Sequence, residues 1–303
     1  MKHFIDLDLF STEELISILN LAKDVKNNPA KYQNKLHGKN LAMIFAKNST
    51  ITRVSFEVAI NQLGGNAIVM NHNDMQLGKG EEVSDTARVL SNYVNFIMIR
   101  CHEHYLLTKM CQYSSKPIIN ALTDFSHPCQ IMASIMAIEE RFKKDIATKT
   151  LSWFGDANNV LNSYIHGALK LKYQLNIAIP KEFDFSNNEI AKAKKEGAKI
   201  NIFENAQDAA KHADVLITDC WFSMGQECED DQKKKELLKP FKINEDLMNI
   251  ANKNAIFTHC LPAFREMEVT AKVIDGKNSI IFQEAENRLH IQKAILLFLS
   301  EDL

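Results

Sequence analysis

Short apolar runs alternate with longer amphipathic segments along the whole chain. Runs of four or five mostly apolar residues between polar turns are typical of buried strands, and apolar positions spaced three and four apart indicate helices. The pattern predicts one series of strands at 41–45, 67–70, 96–99 and 118–122, and a second series at 150–154, 175–179, 199–203, 214–218 and 255–259. Alternation of strands and helices predicts parallel sheets covered by helices on both faces.

The predicted helices begin and end at local signals. Ser11, with Glu14 three residues later, forms a capping-box signature that opens the first helix. Gly64 and Gly65 end a helix predicted over Thr52–Leu63. The other main predicted helices are Asp85–Tyr93, His104–Tyr113, Pro128–Lys143 and Glu286–Leu299. A chain of 303 residues that carries two such series is expected to form two α/β domains, hinged around residues 140–150.

The charge, cysteine and arginine counts of the chain limit the kinds of protein that it can be. The chain has 36 basic and 38 acidic residues, so its net charge of −2 gives no electrostatic reason to expect nucleic acid or an anionic membrane as a partner. The six cysteines form no C-x-x-C pair, which favours reduced thiols and a cytoplasmic protein. Only six of the basic residues are arginines, so each arginine is a candidate for a position that needs a planar, bidentate fork.

Candidate ligand-binding residues follow the predicted strands, where ligands bind in parallel sheets. Ser49, Thr50 and Thr52 lie at a helix N-terminus after the first strand, which suits an anion, although serine and threonine there are often simple caps. Arg100 ends the apolar strand FIMIR, where it faces a cleft or pairs with a buried carboxylate.

A histidine and an amide occupy one face of a predicted helix. His127 and Gln130 are three residues apart, so together they are able to grip one polar ligand; alone, the histidine is more often a cap or a half-buried structural residue.

Further candidates lie in the second half of the chain. The loop GDANNV lacks the second and third glycines of a G-x-G-x-x-G loop, because Ala157 and Val160 replace them, and this argues against an NAD enzyme. Its asparagines either bind a small polar ligand or belong to an ordinary turn. Asp219 ends a strand and is suited to an amine, and the segment Ser223–Met224–Gly225 is typical of a mobile lid.

Taken in order, these segments resemble the aspartate/ornithine carbamoyltransferase family over nearly the whole chain. FAKNSTITRVSFEVAINQLGG resembles its phosphate-binding turn and helix, and LGKGEEVSDTARVLSNYV the following loop and helix. HPCQ resembles its H-P-x-Q motif, and FGDANNV the start of its second domain. DCWFSMGQE and HCLPAFR resemble the ornithine branch in particular.

The resemblance implies transfer of a carbamoyl group from carbamoyl phosphate to L-ornithine, with no metal or organic cofactor. It implies a carbamoyl phosphate-binding domain over 1–140, an ornithine-binding domain over 148–285, and a C-terminal helix, 286–303, that packs back on the first. It also implies a homotrimer, because Gln76 matches a residue that reaches a neighbouring subunit's phosphate.

The implied residues fall into three groups. Carbamoyl phosphate is held by Ser49, Thr50, Thr52, Gln76, Arg100, His127, Gln130, Cys260, Leu261 and Arg288, the last placed at the start of the final helix. Ornithine is held by Asn159, Asp219, Ser223 and Met224. Arg100, His127, Asp219 and Cys260 are the implied catalytic residues.

One position departs from the family pattern. The phosphate turn normally reads S-T-R-T-R, and here Ile51 replaces the first arginine. Arg53, the second arginine, is present, with a family role that is more structural than catalytic. We therefore expect impaired use of carbamoyl phosphate. Two alternatives remain open: a catalytically silent relative with a binding or assembly role, and a carbamoyltransferase that acts on another amine.

Overall fold

The computed structural model describes residues 1–46, 49–71, 82–183, 188–222 and 231–300. The chain divides into two compact units, Met1–Ala133 with Glu286–Leu303, and Ser134–Ala285. The described segments form nine strands and twelve α-helices, named here in chain order.

The first unit contains a four-stranded parallel sheet. Its strands are β1 (Asn40–Phe45), β2 (Asn66–Asn71), β3 (Phe96–Arg100) and β4 (Ile118–Leu122), in the order β2-β1-β3-β4. Strands β1 and β3 are buried along almost their whole length, as expected for the centre of a parallel sheet. The strand order reverses at β1, because the chain goes first to β2 on one side and then to β3 on the other. The carboxyl ends of β1 and β3 therefore flank a crevice of the kind that binds ligands.

Helices α1 (Thr12–Asn27), α2 (Thr50–Gln62), α3 (Val83–Tyr93) and α4 (His104–Tyr113) belong to this unit. The capping box at the start of α1 is formed. The Ser11 hydroxyl accepts the Glu14 N–H at 3.2 Å, and the Ser11 N–H donates to the Glu14 carboxylate at 2.9 Å. Five apolar side chains on one face of α1 are buried, at the positions that the sequence spacing predicts.

The second unit contains a five-stranded parallel sheet. Its strands are β5 (Thr150–Phe154), β6 (Gln174–Ala178), β7 (Ile200–Phe203), β8 (Val215–Thr218) and β9 (Ile256–His259), in the order β7-β6-β5-β8-β9. The order reverses at β5, so the second crevice lies between the carboxyl ends of β5 and β8.

The remaining helices are α5 (Pro128–Phe142), α6 (Asn159–Leu171), α7 (Asn188–Lys195), α8 (Ala206–Ala210), α9 (Asp231–Leu238), α10 (Glu245–Ile250), α11 (Ala271–Ile274) and α12 (Ile281–Ser300). An apolar core in the second unit is built from β5, β8 and β9 with α8, α10 and α11, and Phe154, Leu216 and Phe257 are fully buried in it.

The predicted α/β class with parallel sheets is confirmed. Two of the helix boundaries that differ from the prediction concern residues of the predicted site. Helix α2 begins at Thr50 rather than Thr52, so Ile51 lies inside its first turn. Helix α12 begins at Ile281 rather than Glu286, which places Arg288 two turns inside the helix and not at its start. No helix among the described residues is long and apolar enough to cross a membrane.

Candidate active site

The crevice of the first unit is closed on one side by the N-terminus of α2. Ser49 is its N-cap, and the Ser49 hydroxyl accepts the Thr52 N–H at 3.2 Å. The other N–H groups of the first turn have no partner within the helix, and the helix dipole makes this end positive. The N–H groups of the first turn and the helix dipole therefore make the N-terminus of α2 a suitable site for an anion.

Two guanidinium groups meet at the hydroxyl of Thr52. Arg100, the last residue of β3, donates to it at 3.1 Å, and Arg288 on α12 donates at 3.3 Å. Arg288 also donates to the side-chain oxygen of Gln130, and Thr52, Gln130 and Arg288 are all buried. Two delocalised cations beside a positive helix end form a site with the charge and the planar donors that bind a phosphate dianion.

His127 lies beside these cations, immediately before α5, and is buried. Burial lowers the pKa of His127 well below its usual value, and the positive charges of Arg288 and Arg100 lower that pKa further. The imidazole is therefore neutral near pH 7. It carries one N–H and is able to donate a hydrogen bond to an oxygen that becomes negative during a reaction.

The second unit has its own polar cluster where β5 and β8 end. The chain leaves β5 through Gly155, whose φ of +112° and close approach to the Trp221 indole nitrogen require glycine. Asn158 then caps α6, because its side-chain oxygen accepts the N–H groups of Val160 and Leu161. The Asn158 amide nitrogen donates to Asp219 at 2.8 Å, so one side chain both starts the helix and orients a carboxylate.

Asp219 follows β8 and is the centre of this cluster. Its second carboxylate oxygen accepts the Cys220 N–H at 2.8 Å and the thiols of Cys260 at 2.9 Å and Cys220 at 3.3 Å. Burial, followed by the charge of Asp219, raises the pKa of the Cys260 thiol well above its usual value. Cys260 is thus a protonated hydrogen-bond donor, and not a thiolate nucleophile.

Asp219, His259 and Cys260 offer three possible metal ligands within 4.8 Å of one another. In this arrangement the Cys260 thiol donates to Asp219, and the His259 Nδ1 accepts the Leu261 N–H at 2.9 Å. A metal would have to replace both hydrogen bonds and remove the thiol proton.

A partly buried ion pair borders the cluster. Lys234 on α9 lies 2.8 Å from the carboxylate of Asp156, in the loop between Gly155 and Asn158. Burial raises the pKa of the Asp156 carboxyl, and the hydrogen bond and charge of Lys234 oppose that effect.

Comparison with known proteins shows which family this chain belongs to. The model of the aspartate/ornithine carbamoyltransferase carbamoyl-P binding domain matches residues 2–140, and that of the Asp/Orn binding domain matches residues 147–299. The chain belongs to the aspartate/ornithine carbamoyltransferase family. Its family recognition from the sequence is confirmed, and it is an enzyme of the transferase class.

The similar proteins share almost the full length of the chain. The ornithine carbamoyltransferase of Rhodopseudomonas palustris is 47% identical over 298 residues, which cover 97% of this chain and 95% of that protein. The crystal structure of the anabolic ornithine carbamoyltransferase of Campylobacter jejuni has a TM-score of 0.94 at 42% identity and covers 100% of both chains. The ornithine carbamoyltransferase structure from Pyrococcus furiosus has a TM-score of 0.92 at 42% identity, covering 97% of this chain and 96% of that one.

The structure places the site residues that were predicted from the sequence in different parts of the chain's two units. Those found together in the first crevice are Ser49, Thr52, Arg100, Gln130 and Arg288, with His127 beside them. Thr50 is exposed at the first position of α2. Cys260 and Leu261 belong to the second unit, and Gln76, Ser223 and Met224 lie outside the described residues.

Three features of the site were not predicted from the sequence. The amide of Asn158, the residue before the predicted ornithine ligand Asn159, donates to Asp219. Cys220 adds a second thiol to that carboxylate, and Glu268 lies 3.3 Å from the buried ring of His259. Only Asn158 had a usable signal, because asparagine before a helical segment is a preferred N-cap.

Arg53, the arginine that remains in the phosphate turn, points to solvent. Its guanidinium lies 3.9 Å from Glu57, four residues later on the exposed face of α2. It is therefore not among the cations that meet at Thr52.

Proposed function

We propose that this carbamoyltransferase transfers the carbamoyl group of carbamoyl phosphate to the side-chain amine of L-ornithine, giving L-citrulline and phosphate. The observation that carries the proposal is the meeting of Arg100 and Arg288 at Thr52, at the N-terminus of α2. Thr52 and Arg100 lie within residues 2–140, which the family's carbamoyl-P binding model matches. The names of the full-length relatives supply the acceptor.

In the proposed mechanism the first unit binds carbamoyl phosphate. Ser49, Thr50, Thr52 and the N–H groups of α2 hold the phosphate, and Gln130 binds the carbamoyl nitrogen. Attack of the neutral amine on the carbonyl carbon forms the new C–N bond and places negative charge on the carbonyl oxygen. The C–O bond to the phosphate then breaks, and the proton that the amine loses passes to the phosphate, which leaves as a dianion. Arg100 is suited to bridge phosphate and carbonyl oxygen. His127 is suited to donate to that oxygen, because its low pKa keeps it neutral and leaves one N–H.

The remaining proposed ligands of the carbamoyl group are Arg288 and the backbone carbonyls of Cys260 and Leu261. The Arg288 guanidinium is already oriented by hydrogen bonds to Gln130 and Thr52. Preorganised donors of this kind need no reorganisation when charge develops.

Asp219 is the proposed ligand of ornithine in the second unit, together with Asn159, Ser223 and Met224. A carboxylate held by an amide, a backbone N–H and two thiols is well suited to the α-ammonium group. The attacking side-chain amine has to be neutral, because an ammonium group has no lone pair. Asp219 and the Cys260 thiol are proposed to orient that neutral amine.

We propose that Ile51 impairs this reaction. The side chain lies in the first turn of α2, one residue before Thr52, and it carries no donor for the phosphate. The site retains Arg100 and Arg288, so binding is weakened rather than abolished. The change affects affinity for carbamoyl phosphate and leaves the reaction type unaltered.

The decisive experiment is a citrulline assay on the purified protein with saturating carbamoyl phosphate and ornithine. Steady citrulline formation that is lost on Arg100→Leu supports the proposal. A folded protein that binds inorganic phosphate but forms no citrulline is instead a silent relative.

A panel of lysine, putrescine and N-acetylornithine tests the acceptor, and a preferred substrate among these would refute ornithine as the acceptor. Binding of NAD(P) measured by calorimetry would favour a dinucleotide enzyme.

We also propose a homotrimer in which Gln76 completes a neighbouring subunit's site. Exposed apolar side chains on three successive elements of the first unit support an interface between copies: Val54 on α2, Ile68 on β2, and Val89 and Tyr93 on α3. Light scattering should give three times the chain mass of 34.5 kDa. Co-expression of Gln76→Ala with Arg100→Leu should restore activity above either variant alone, since mixed trimers contain some sites with both residues intact. Absence of restoration would argue against shared sites.

A further inference from the structure

The segment that follows β9, residues 260–264, is tied to a buried pair of side chains. The Leu261 N–H donates to His259 Nδ1 at 2.9 Å, and the Phe264 N–H donates to Glu268 Oε1 at 2.5 Å. His259 Nε2 lies 3.3 Å from the same Glu268 oxygen. An imidazole and a carboxyl group that lie 3.3 Å apart therefore accept the two backbone N–H groups of this segment.

Neither side chain of the pair is exposed to solvent. A ring nitrogen that accepts an N–H carries no proton, so the imidazole proton resides on Nε2. Nε2 lies 3.3 Å from Glu268 Oε1 without the alignment of a hydrogen bond. The pair is thus a fixed support beneath the turn, and not a group that is open to substrate.

The turn that it supports has an unusual backbone. Leu261 has a φ of +56°, in the left-handed region that a leucine seldom adopts. Such a conformation persists only where surrounding contacts determine it. The hydrogen bond from the Leu261 N–H to His259 is the contact that acts directly on this residue.

Cys260 lies between His259 and Leu261 and reaches back to the acceptor cluster. Its thiol donates to Asp219 at 2.9 Å. The direction of this thiol and of the Cys260 and Leu261 carbonyls depends on the backbone angles of the two residues. An error of about 1 Å in such groups is enough to cost about 100-fold in rate.

We infer that His259 and Glu268 are positioning residues for carbamoyl transfer, which hold the 260–264 turn so that Cys260 and Leu261 present their polar groups in one direction. Neither residue touches substrate. The inference rests on the proposed function, because it assigns a role to a support for that reaction. In this inference the hydrogen bond from the Leu261 N–H to His259 Nδ1 is essential, and the hydrogen bond from the Phe264 N–H to Glu268 Oε1 is auxiliary.

Two amide replacements of His259 separate these contacts. Asparagine places its oxygen near the position of Nδ1 and keeps an acceptor for the Leu261 N–H. Glutamine reaches the position of Nε2 and keeps the contact with residue 268, but it leaves the Leu261 N–H without its acceptor. Both are compared in a Glu268→Gln background, so that no charged carboxylate loses a donor in the interior. Glu268→Gln alone retains an oxygen for the Phe264 N–H.

We expect Glu268→Gln, and Glu268→Gln with His259→Asn, to keep kcat within about threefold of wild type. Glu268→Gln with His259→Gln should lose at least about tenfold in kcat, with little change in affinity for inorganic phosphate, whose ligands are in the first unit. The Cys260 thiol should be alkylated by iodoacetamide faster in the glutamine variant than in the asparagine variant, as measured by peptide mass spectrometry.

Equal kcat and equal Cys260 labelling in the two double variants would overturn the inference. So would an equal loss in both, since the acceptor at Nδ1 would then not be the cause. A wild-type protein that forms no citrulline would refute the proposed function alone, because the labelling comparison still reports on the turn.

Discussion

Replacing Ile51 with arginine should strengthen the binding of carbamoyl phosphate. Ile51 is the second residue of α2, between the N-cap Ser49 and the hydroxyl of Thr52 that receives two guanidinium groups. The position is partly exposed, so a longer side chain can extend from the helix end without displacing core residues. Arginine adds a planar fork at the edge of the proposed phosphate site.

The expected gain follows from the charge of the ligand. A hydrogen bond to a charged group contributes about 1.5–3 kcal/mol, which corresponds to about 10- to 150-fold in kcat/KM for carbamoyl phosphate. An opposing effect acts on the empty protein. A cation at a helix N-terminus is unfavourable by about 0.3–1 kcal/mol, and Arg100 and Arg288 already bring two positive charges to Thr52. The variant should therefore be slightly less stable without ligand and should gain more stability than wild type when phosphate binds.

The assay is initial-rate citrulline formation as a function of carbamoyl phosphate, with ornithine saturating. Calorimetry with inorganic phosphate measures the same contact without chemistry. Ile51→Gln is the matched control, since it provides a polar side chain of similar length without charge. Ile51→Lys provides a charge without the fork, and an intermediate gain is expected for it.

An unchanged kcat/KM in Ile51→Arg would refute the reasoning, and so would an equal gain in Ile51→Gln. The first result would mean that Arg100 and Arg288 already saturate the phosphate. The second would mean that the loss of polarity, and not of charge, limits the present site.

Three further predictions concern single groups. Thr52→Val removes the hydroxyl that orients both guanidinium groups; we expect kcat/KM for carbamoyl phosphate to fall at least about tenfold, and an unchanged value would contradict this role. Because the pKa of His127 is lowered in the folded state, the unfolded chain binds its proton first as pH falls below about 6.5, and folding stability then declines by about 1.4 kcal/mol per pH unit from this group. Urea unfolding between pH 6.5 and 4.5 should show a shallower decline in His127→Asn but not in His37→Asn, which changes an exposed histidine; equal slopes would refute it. Ser11→Ala removes the α1 cap and should cost about 1 kcal/mol in unfolding free energy, whereas Ser11→Gly should cost only a few tenths, and an unchanged unfolding free energy in Ser11→Ala would refute a stabilising cap.

Much of the fold could be predicted because its signals are local. Each of the nine strands is a short apolar run with polar turns beside it, and observed bounds such as Gln174–Ala178 differ from the predicted ones by a single residue. The largest boundary error, at the start of α12, arose because Ile280, Ile281 and Glu284 are also buried and give no visible break in pattern.

The residues of the two sites were predicted less completely than the fold. Ser49, Arg100 and Asp219 follow strands, and a parallel sheet brings strand ends to one edge, so their participation could be argued from position. The contact between Asn158 and Asp219 could not be predicted, because two adjacent asparagines do not indicate which one caps the helix and reaches a residue 61 positions later. Glu268 could not be found at all, since nothing near it in the chain indicates that it faces the ring of His259.

The sequence by itself determined the class of fold, the capping box of α1 and the family, because these depend on residues within one segment or on motifs in order. The tertiary structure decided which charged and polar side chains meet in one site. Thr52 is 48 residues from Arg100 and 236 from Arg288, yet one hydroxyl receives both. Their meeting depends on the strand order β2-β1-β3-β4 and on the return of α12 to the first unit. Neither is encoded in local periodicity, since a residue's neighbours along the chain set its conformation, and the packing of whole elements sets its contacts.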